Sequence, residues 1–353
     1  MIITYIYQWA TIGGVERVII NRALALKSMG IQDYKFKVLY IEDGGGLDAF
    51  KSFIDLYDLN EIIIEVDILD ENIINDNSLY SVIDTPKGIE ILNKYNKHYF
   101  IECHTSYSEN RTYLKNLNPN VLITVPSKHF RDIITKEAPH IKNIFVLNTP
   151  IHTQKPHKKI EFPQYANRLL AYVGRMDALK NFTYILDAFE KLTYDFNKHN
   201  FYLLLVGPYS IEYSIHEELS KRKILNKTIL IPPIDFDKVD YLLEALCKEN
   251  AIVISASKGE SFGMSVAETI LHDIPVLLSD IPAHQYLVLN NQDFLFKLDN
   301  VTDLTTKIIN IDLDFKKYNS ILSAKIKPFI KQITSDQTFL NDFKDILEIA
   351  NEQ

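Results

Sequence analysis

The chain has 353 residues, 46% of them hydrophobic and 11% aromatic, enough to bury a large core and to build two domains. A net charge of -8 excludes a general nucleic-acid binder, and the composition excludes a disordered chain. Cys103 and Cys247 show neither metal-ligand spacing nor a disulfide framework, which fits a reducing compartment. No stretch reaches the roughly 18 apolar residues of a membrane span. The expected location is the cytoplasm, with peripheral contact on the inner face of the membrane as the one membrane option.

The opening run IITYIYQWA has no basic leader and stops at Gly13-Gly14, so it reads as a first strand rather than a signal peptide. A helical pattern follows over Val15–Met29. Two glycines between strand and helix let a bound group approach the backbone, although the pattern is not GxGxxG and gives little support to a nicotinamide site. KVLYI, HYFIECH, NVLITVP and NIFVLN are further strands, with a helix over Lys128–Lys136. His104 ends HYFIECH, where an imidazole can donate to a substrate hydroxyl or phosphate; a lone histidine at a strand end is also commonly structural. Charge is uneven here. Between Glu42 and Glu90 acidic residues exceed basic ones by eleven, and between Asn93 and Ile160 basic residues lead by seven. Lys94, Lys97, Arg111, Lys115, Lys128, Arg131 and Lys136 form a basic sector that suits a phosphorylated acceptor or anionic lipid, or is a solvated surface with no partner.

After a linker rich in Lys, His and Pro over Pro150–Pro163, the alternation restarts. LLAYVG leads to a helix over Phe182–Leu192, FYLLLVG to one over Ile215–Lys223, then TILIPPI, then AIVISAS with a helix over Ser265–His272, then IPVLLS. Continuous β-branched runs between helical patterns indicate parallel strands covered on both faces, hence an α/β chain of two doubly wound domains. The expected division is residues 1–150 and 164–335, with a hinge near Asn148–Pro150. A terminal helix within 336–353, from the pattern Thr338–Ala350, completes the first domain.

Chemistry gathers in the loops of the second half. Arg175 directly follows LLAYVG, and Lys180 lies five positions on at the start of the next helix; together with helix amides they make a diphosphate clamp, the alternative being two surface cations. In SKGESFGMSVAETI, Glu260 lies in a loop leaving a strand and Glu268 eight positions later on a helix, across a Phe262-Gly263 turn. Two such acceptors suit a ligand rich in hydroxyls, against the alternative of a capping acid and a solvated helix glutamate. Asp312-x-Asp314 resembles a metal pair only superficially, being outside any strand-edge loop.

The segments GGVERVIINRALAL, VLNTPI, YVGRMDALKNFTYILDAFEKL, LLLVG and ISASKGESFGMSVAETILHDIPVLLSDIPAH resemble, in order and spacing, the retaining glycosyltransferases of family 4, most specifically in Arg-x4-Lys and Glu-x7-Glu. The similarity runs from Gly13 to His284. It implies the GT-B fold, two Rossmann-like domains facing each other across a cleft, the first binding the acceptor and the second the nucleotide sugar. By position it implies that Arg175 and Lys180 bind the donor diphosphate, that Glu268 accepts from the ribose hydroxyls and that Glu260 contacts the transferred sugar. The amides after Phe262, at Gly263, Met264 and Ser265, would face sugar and phosphate; His104 would approach the donor sugar, and Gly13 and Gly14 would shape the floor beneath the diphosphate. Gly207, which ends LLLVG, falls on the donor side, but Pro208-Tyr209 follows it in place of the family's second-glycine, acidic loop. His284-Gln285-Tyr286 likewise replaces a glutamate-containing segment.

The resemblance thus implies retaining transfer of a sugar from a nucleotide-diphosphate donor to a glycan or lipid-linked hydroxyl, in cell-surface polysaccharide or glycolipid synthesis. Arg175, Lys180, Glu260 and His104 would form the catalytic set, with no cofactor, no metal and no nucleic-acid partner. A nucleotide-sugar epimerase on the same scaffold and a non-catalytic glycan-binding subunit are the alternatives.

Overall fold

The structure is a computed structural model, described over residues 1–71, 74, 78–153, 168–196, 201–209, 213–298 and 300–352. Most of the linker Pro150–Pro163 lies outside the described residues. The chain forms two compact units: Met1–His152 with Gln332–Gln353, and Thr153–Lys331.

In the first unit the order is β1 (Ile2–Ala10), α1 (Gly14–Ser28), β2 (Lys35–Asp43), α2 (Leu47–Leu56), β3 (Ile63–Ile68), β4 (Leu79–Ile83), α3 (Pro86–Lys94), β5 (Tyr99–Glu102), β6 (Leu122–Val125), α4 (Lys128–Glu137) and β7 (Asn143–Val146). The described strands pair in parallel in the order β3-β2-β1-β4-β5-β6-β7. Ile3, Tyr5, Ile6, Val82, Ile83, Ile101 and Ile123 are buried. Helices cover both sheet faces, which is why these strands read as unbroken apolar runs. The chain winds outward in both directions from β1 and β4, so this pair is the switch point, at whose carboxyl ends ligands bind in doubly wound sheets.

The second unit has β8 (Arg168–Val173), α5 (Phe182–Tyr194), β9 (Phe201–Val206), α6 (Ile215–Lys221), β10 (Thr228–Ile231), α7 (Val239–Lys248), β11 (Ile252–Ser255), α8 (Met264–Leu271), β12 (Val276–Ser279), α9 (Pro282–Leu287) and β13 (Leu295–Phe296). Three more helices follow: α10 (Val301–Leu313), α11 (Phe315–Ile321) and α12 (Lys327–Ile333), the last of which carries the chain back to the first unit. The described strands are again parallel, in the order β10-β9-β8-β11-β12-β13, with the switch point between β8 and β11.

The terminal helix, α13 (Asp336–Asn351), belongs to the first unit and packs on α1. Ser335 caps it through Thr338 N, and Phe343 meets Tyr34 and Phe36 edge-on at 5.5 and 6.1 Å. Asp342 Oδ2 accepts from the backbone N and the side-chain Nδ2 of Asn148, at 3.0 and 2.8 Å, and Ile151 N donates to Thr334 O. Asn148 is therefore fastened within the first unit, and the chain leaves that unit between His152 and Thr153.

Candidate active site

In the second unit, the loops leaving β8 and β11 flank the switch point, and the structure brings the cationic and acidic motifs together there. Lys180 Nζ donates to Glu260 Oε1 at 2.6 Å, with side chains 21% and 12% exposed. Ser257 Oγ donates to the same carboxylate oxygen at 2.6 Å. Burial alone would raise the Glu260 carboxyl; the Lys180 ammonium reverses this and holds it below its ordinary value. Lys258 N also donates to Leu179 O, which ties the two loops backbone to backbone.

Asp177 organises the β8 loop. Its Oδ1 accepts from Lys180 N, three residues on, at 2.8 Å, while its Oδ2 lies 3.3 Å from Arg175 Nη2. Arg175 itself is 54% exposed. The buried Tyr172 donates its hydroxyl to the Arg175 carbonyl. The backbones of the β8 and β9 loops touch: a Cβ on Gly207, which has φ 137°, would stand 2.0 Å from Gly174 O. Gly207 is therefore required by the protein's own packing.

Glu268 is buried on α8 rather than solvated on its surface, which removes the solvated-glutamate alternative. The helix begins at Gly263, whose φ of 95° lies in the left-handed region and whose added Cβ would press on Leu287 Cδ1 at 3.1 Å. Val266 N and Ala267 N both donate to Gly263 O. The amides of Met264 and Ser265 precede them at the helix start, where an N–H has no acceptor within the helix. Phe262 is buried.

Beneath this loop is a fully buried histidine. Ser279 Oγ donates to Ser257 O at 2.6 Å and lies 2.9 Å from His284 Nδ1. Having given its only proton, the hydroxyl accepts from Nδ1–H. His284 is thus linked by hydrogen bonds through Ser279 to Ser257, the residue that donates to Glu260. Asp177, Ser257 and Ser279 were not singled out in the sequence; the only cue is that Asp177 and Ser257 each stand three residues before a charged site residue.

In the first unit, Gly13 and His104 lie in loops at the carboxyl edge of the sheet, and Gly14 is the first residue of α1. Gly13 N donates to Glu16 Oε2 at 2.9 Å, which fixes the entry to α1. Neither glycine has positive φ, and a Cβ on Gly14 would meet nothing within 4 Å, so the surface there is open. His104 Nε2 lies 2.9 Å from Glu102 Oε2, with the ring 13% exposed.

Several other charges have structural duties. Arg111 is buried, binds Glu137 through Nε and Nη2 at 2.7 and 2.6 Å, and donates from Nη1 to Thr105 O, so it does not belong to an anion-facing surface. Lys94 pairs with Glu71 at 2.7 Å. Asp312 binds Arg168 and Asp314 caps α11. Among the described residues no group of three or more His, Cys, Asp or Glu could hold a metal, and no helix is long and apolar enough to cross a membrane.

Comparison with known proteins bears most directly on the second unit. Residues 154–327 match the family model of the glycosyl transferases group 1. That match covers just under half of the chain and includes every donor-side residue named above for this unit. The serotype-specific mannosyltransferase WbdA of Escherichia coli is 29% identical over 110 residues, 31% of this chain but only 13% of that protein. The crystal structure of Anabaena HepE in complex with UDP and glucose superposes with a TM-score of 0.75 at 16% identity, covering 99% of both chains. A glycosyltransferase from Rickettsia africae gives 0.70 at 18% identity over 99% of this chain and 98% of that one. At such identities the likeness shows the fold, which is that of the GT-B proteins: two Rossmann-like α/β domains with parallel sheets.

Proposed function

We propose that the protein is a retaining, metal-independent glycosyltransferase that moves a sugar from a nucleotide-diphosphate donor to a hydroxyl acceptor. The Lys180–Glu260 contact at the β8/β11 switch point carries this reading. It puts a cation and a hydrogen-bond acceptor side by side, flanked by a second cation, Arg175, and a buried carboxylate, Glu268, and such a set suits a ligand with both phosphate charge and hydroxyls. The matching family model, the mannosyltransferase relative and the UDP-bound neighbour support the same donor class.

In the reaction, the barrier is departure of the diphosphate. Arg175, Lys180 and the amides of Met264 and Ser265 stabilise its growing charge, so no metal is required for that task. Glu268 accepts from the ribose hydroxyls and Glu260 from the transferred sugar. Glu260 is already engaged by Lys180 and Ser257, an arrangement suited to holding a sugar rather than to attacking it, and this favours substitution on a single face with retention. The acceptor is a glycan or lipid-linked hydroxyl of cell-surface polysaccharide or glycolipid synthesis. Lys115, Lys128, Arg131 and Lys136 are the cations that would bring the first unit to an anionic acceptor or membrane surface.

The test is a thermal-shift screen with UDP, GDP and ADP and their sugars, starting from UDP-glucose and a nucleotide-activated mannose, in which a ligand at 100 times its Kd stabilises by about 2.7 kcal/mol. Nucleoside diphosphate release is then measured with and without acceptor, and the product's anomeric configuration is read by NMR. Release that depends on acceptor supports transfer. Sugar interconversion without release makes the protein an epimerase, and binding without turnover makes it a glycan-binding subunit.

A further inference from the structure

Behind His104 the fold buries more charge than packing requires. Glu102, at the end of β5, is fully buried; Arg22 Nη1 and Nη2 donate to its Oε1 and Oε2 at 2.8 and 2.7 Å. Ser81 Oγ adds a bond to Oε1 at 2.7 Å, and His104 Nε2 lies 2.9 Å from Oε2. The Arg22 guanidinium is itself covered by the rings of Tyr5 and Phe339, 5.8 and 6.0 Å away. Sealed ion pairs add little stability over apolar packing of the same volume, because the charges lose hydration that their attraction roughly repays.

What the pair does that apolar packing cannot is keep Glu102 ionised. Burial alone would raise its carboxyl; the Arg22 guanidinium more than reverses this, with help from His104, and holds it well below the usual carboxylate range. An ionised carboxylate only accepts hydrogen bonds, so the proton of a neutral His104 ring sits on Nε2. The backbone is fixed as firmly. Asp84 Oδ2 accepts from the N–H groups of His104 and Thr105, both at 2.7 Å, and Tyr113 donates to the other Asp84 oxygen at 3.2 Å.

We infer that Glu102, held by Arg22 and Ser81, is a positioning residue that locks His104 in its Nε2–H tautomer and makes Nδ1 the ring's working atom, as an acceptor. Among the described residues no protein group bonds Nδ1. In this tautomer Nδ1 presents a lone pair, which takes a hydrogen bond from a neutral hydroxyl and repels a phosphate oxygen. The sequence left open an imidazole that donates to hydroxyl or phosphate; the geometry retains the hydroxyl and reverses the direction of the bond. The ligand that a neutral His104 favours is therefore an uncharged, hydroxylated group. Its identification with a sugar rests on the transferase reading, whereas the tautomer does not.

Long-range ¹H–¹⁵N NMR of the imidazole nitrogens in the full chain, near pH 8, tests this directly. Wild type is expected to show Nε2 protonated and Nδ1 bare; an Nδ1–H pattern there overturns the inference without any variant. The double variant Arg22→Met/Glu102→Leu removes both charges together, so neither is stranded, and is expected to show a mixture of tautomers. An unchanged Nε2–H pattern in the folded double variant also overturns it. Once a donor is known, the same variant should lose about ten- to hundredfold in kcat, the scale of a misplaced group. Its donor KM should stay within about twofold, whereas a general loss of structure would raise KM together with the fall in kcat. Full turnover with a scrambled tautomer refutes the positioning role. A wild-type protein with no transfer activity but a locked tautomer removes the transferase reading and leaves the lock standing.

Discussion

Replacing Lys180 by Met separates a structural counter-ion from a catalytic cation. Its ammonium is 2.6 Å from Glu260 Oε1, with the side chains 21% and 12% exposed. Removing one partner of a fully buried pair costs about 3–5 kcal/mol, and breaking an exposed pair costs about 0–1; this intermediate burial places Lys180→Met at about 2–3 kcal/mol. For a domain the size of the second unit that lowers the melting midpoint by roughly 5–10 °C. The effect must depend on pH. Glu260 has a lowered carboxyl in the folded protein, so the pair's contribution is present above the unfolded value of 4.5 and is lost as pH falls through the folded value. In the variant, burial is no longer opposed by Lys180, and the stranded carboxylate protonates instead. The stability gap should be full at pH 7–8 and should close towards acid pH. Adding Glu260→Gln should restore most of the lost stability at neutral pH without restoring transfer. Denaturant midpoints at several pH values, with turnover assays on both variants, decide it. A gap independent of pH refutes the electrostatic reasoning, and wild-type turnover in the double variant reduces Lys180 to a counter-ion.

Arg175→Ala should change stability by no more than about 0.5 kcal/mol, since the side chain is 54% exposed, yet lower turnover roughly a hundredfold at saturating donor; equal rates would remove Arg175 from the diphosphate clamp. Glu268→Ala should weaken nucleoside diphosphate binding by about 1.5–3 kcal/mol in calorimetry, and unchanged affinity would disprove its ribose role. Transfer should survive EDTA, and complete loss restored by manganese or magnesium would show that a metal carries the leaving-group charge. His272 lies 2.9 Å through Nδ1 from Glu268 O and 3.2 Å through Nε2 from Asp240. Burial would lower its pKa, but these bonds favour the doubly protonated ring and raise it above 6.5. Its contribution is therefore present below pH 6.5 and lost as pH rises through the folded value, so the stability gap between wild type and His272→Gln should narrow from pH 6 to pH 9.

The fold was legible where a strand reads as a nearly continuous run of apolar residues. IITYIYQWA, FYLLLVG and AIVISAS have no polar alternation to confuse a strand with a surface, and the structure forms β1, β9 and β11 there. β3 was missed because it is the edge strand and half-exposed, so IIEVDI mixes charge with apolar residues. β4 was missed because a buried serine, Ser81, whose hydroxyl serves Glu102, interrupts the apolar run of LYSVI. Arg111 misled by composition. A cation inside a basic stretch reads as part of a charged surface, and only the fold reveals Glu137 one element away.

The candidate site shows a related limit. Arg-x4-Lys and Glu-x7-Glu could be read as two motifs with two tasks, a phosphate clamp and a hydroxyl acceptor, because each is contiguous in sequence. Lys180 and Glu260 are 80 positions apart, and only the β8/β11 adjacency turns the motifs into one set. Before a ligand arrives, Arg175 faces Asp177 and Lys180 faces Glu260, so this group of four carries no net charge. On the transferase reading, a diphosphate cannot be attracted there by net charge and must instead exchange hydrogen bonds with carboxylates already in place. If Lys180 turns to phosphate on that reading, the Glu260 oxygen that held it would become available to a sugar hydroxyl. Nucleotide and sugar would then be bound by one coupled exchange, a linkage that neither motif's spacing suggests by itself.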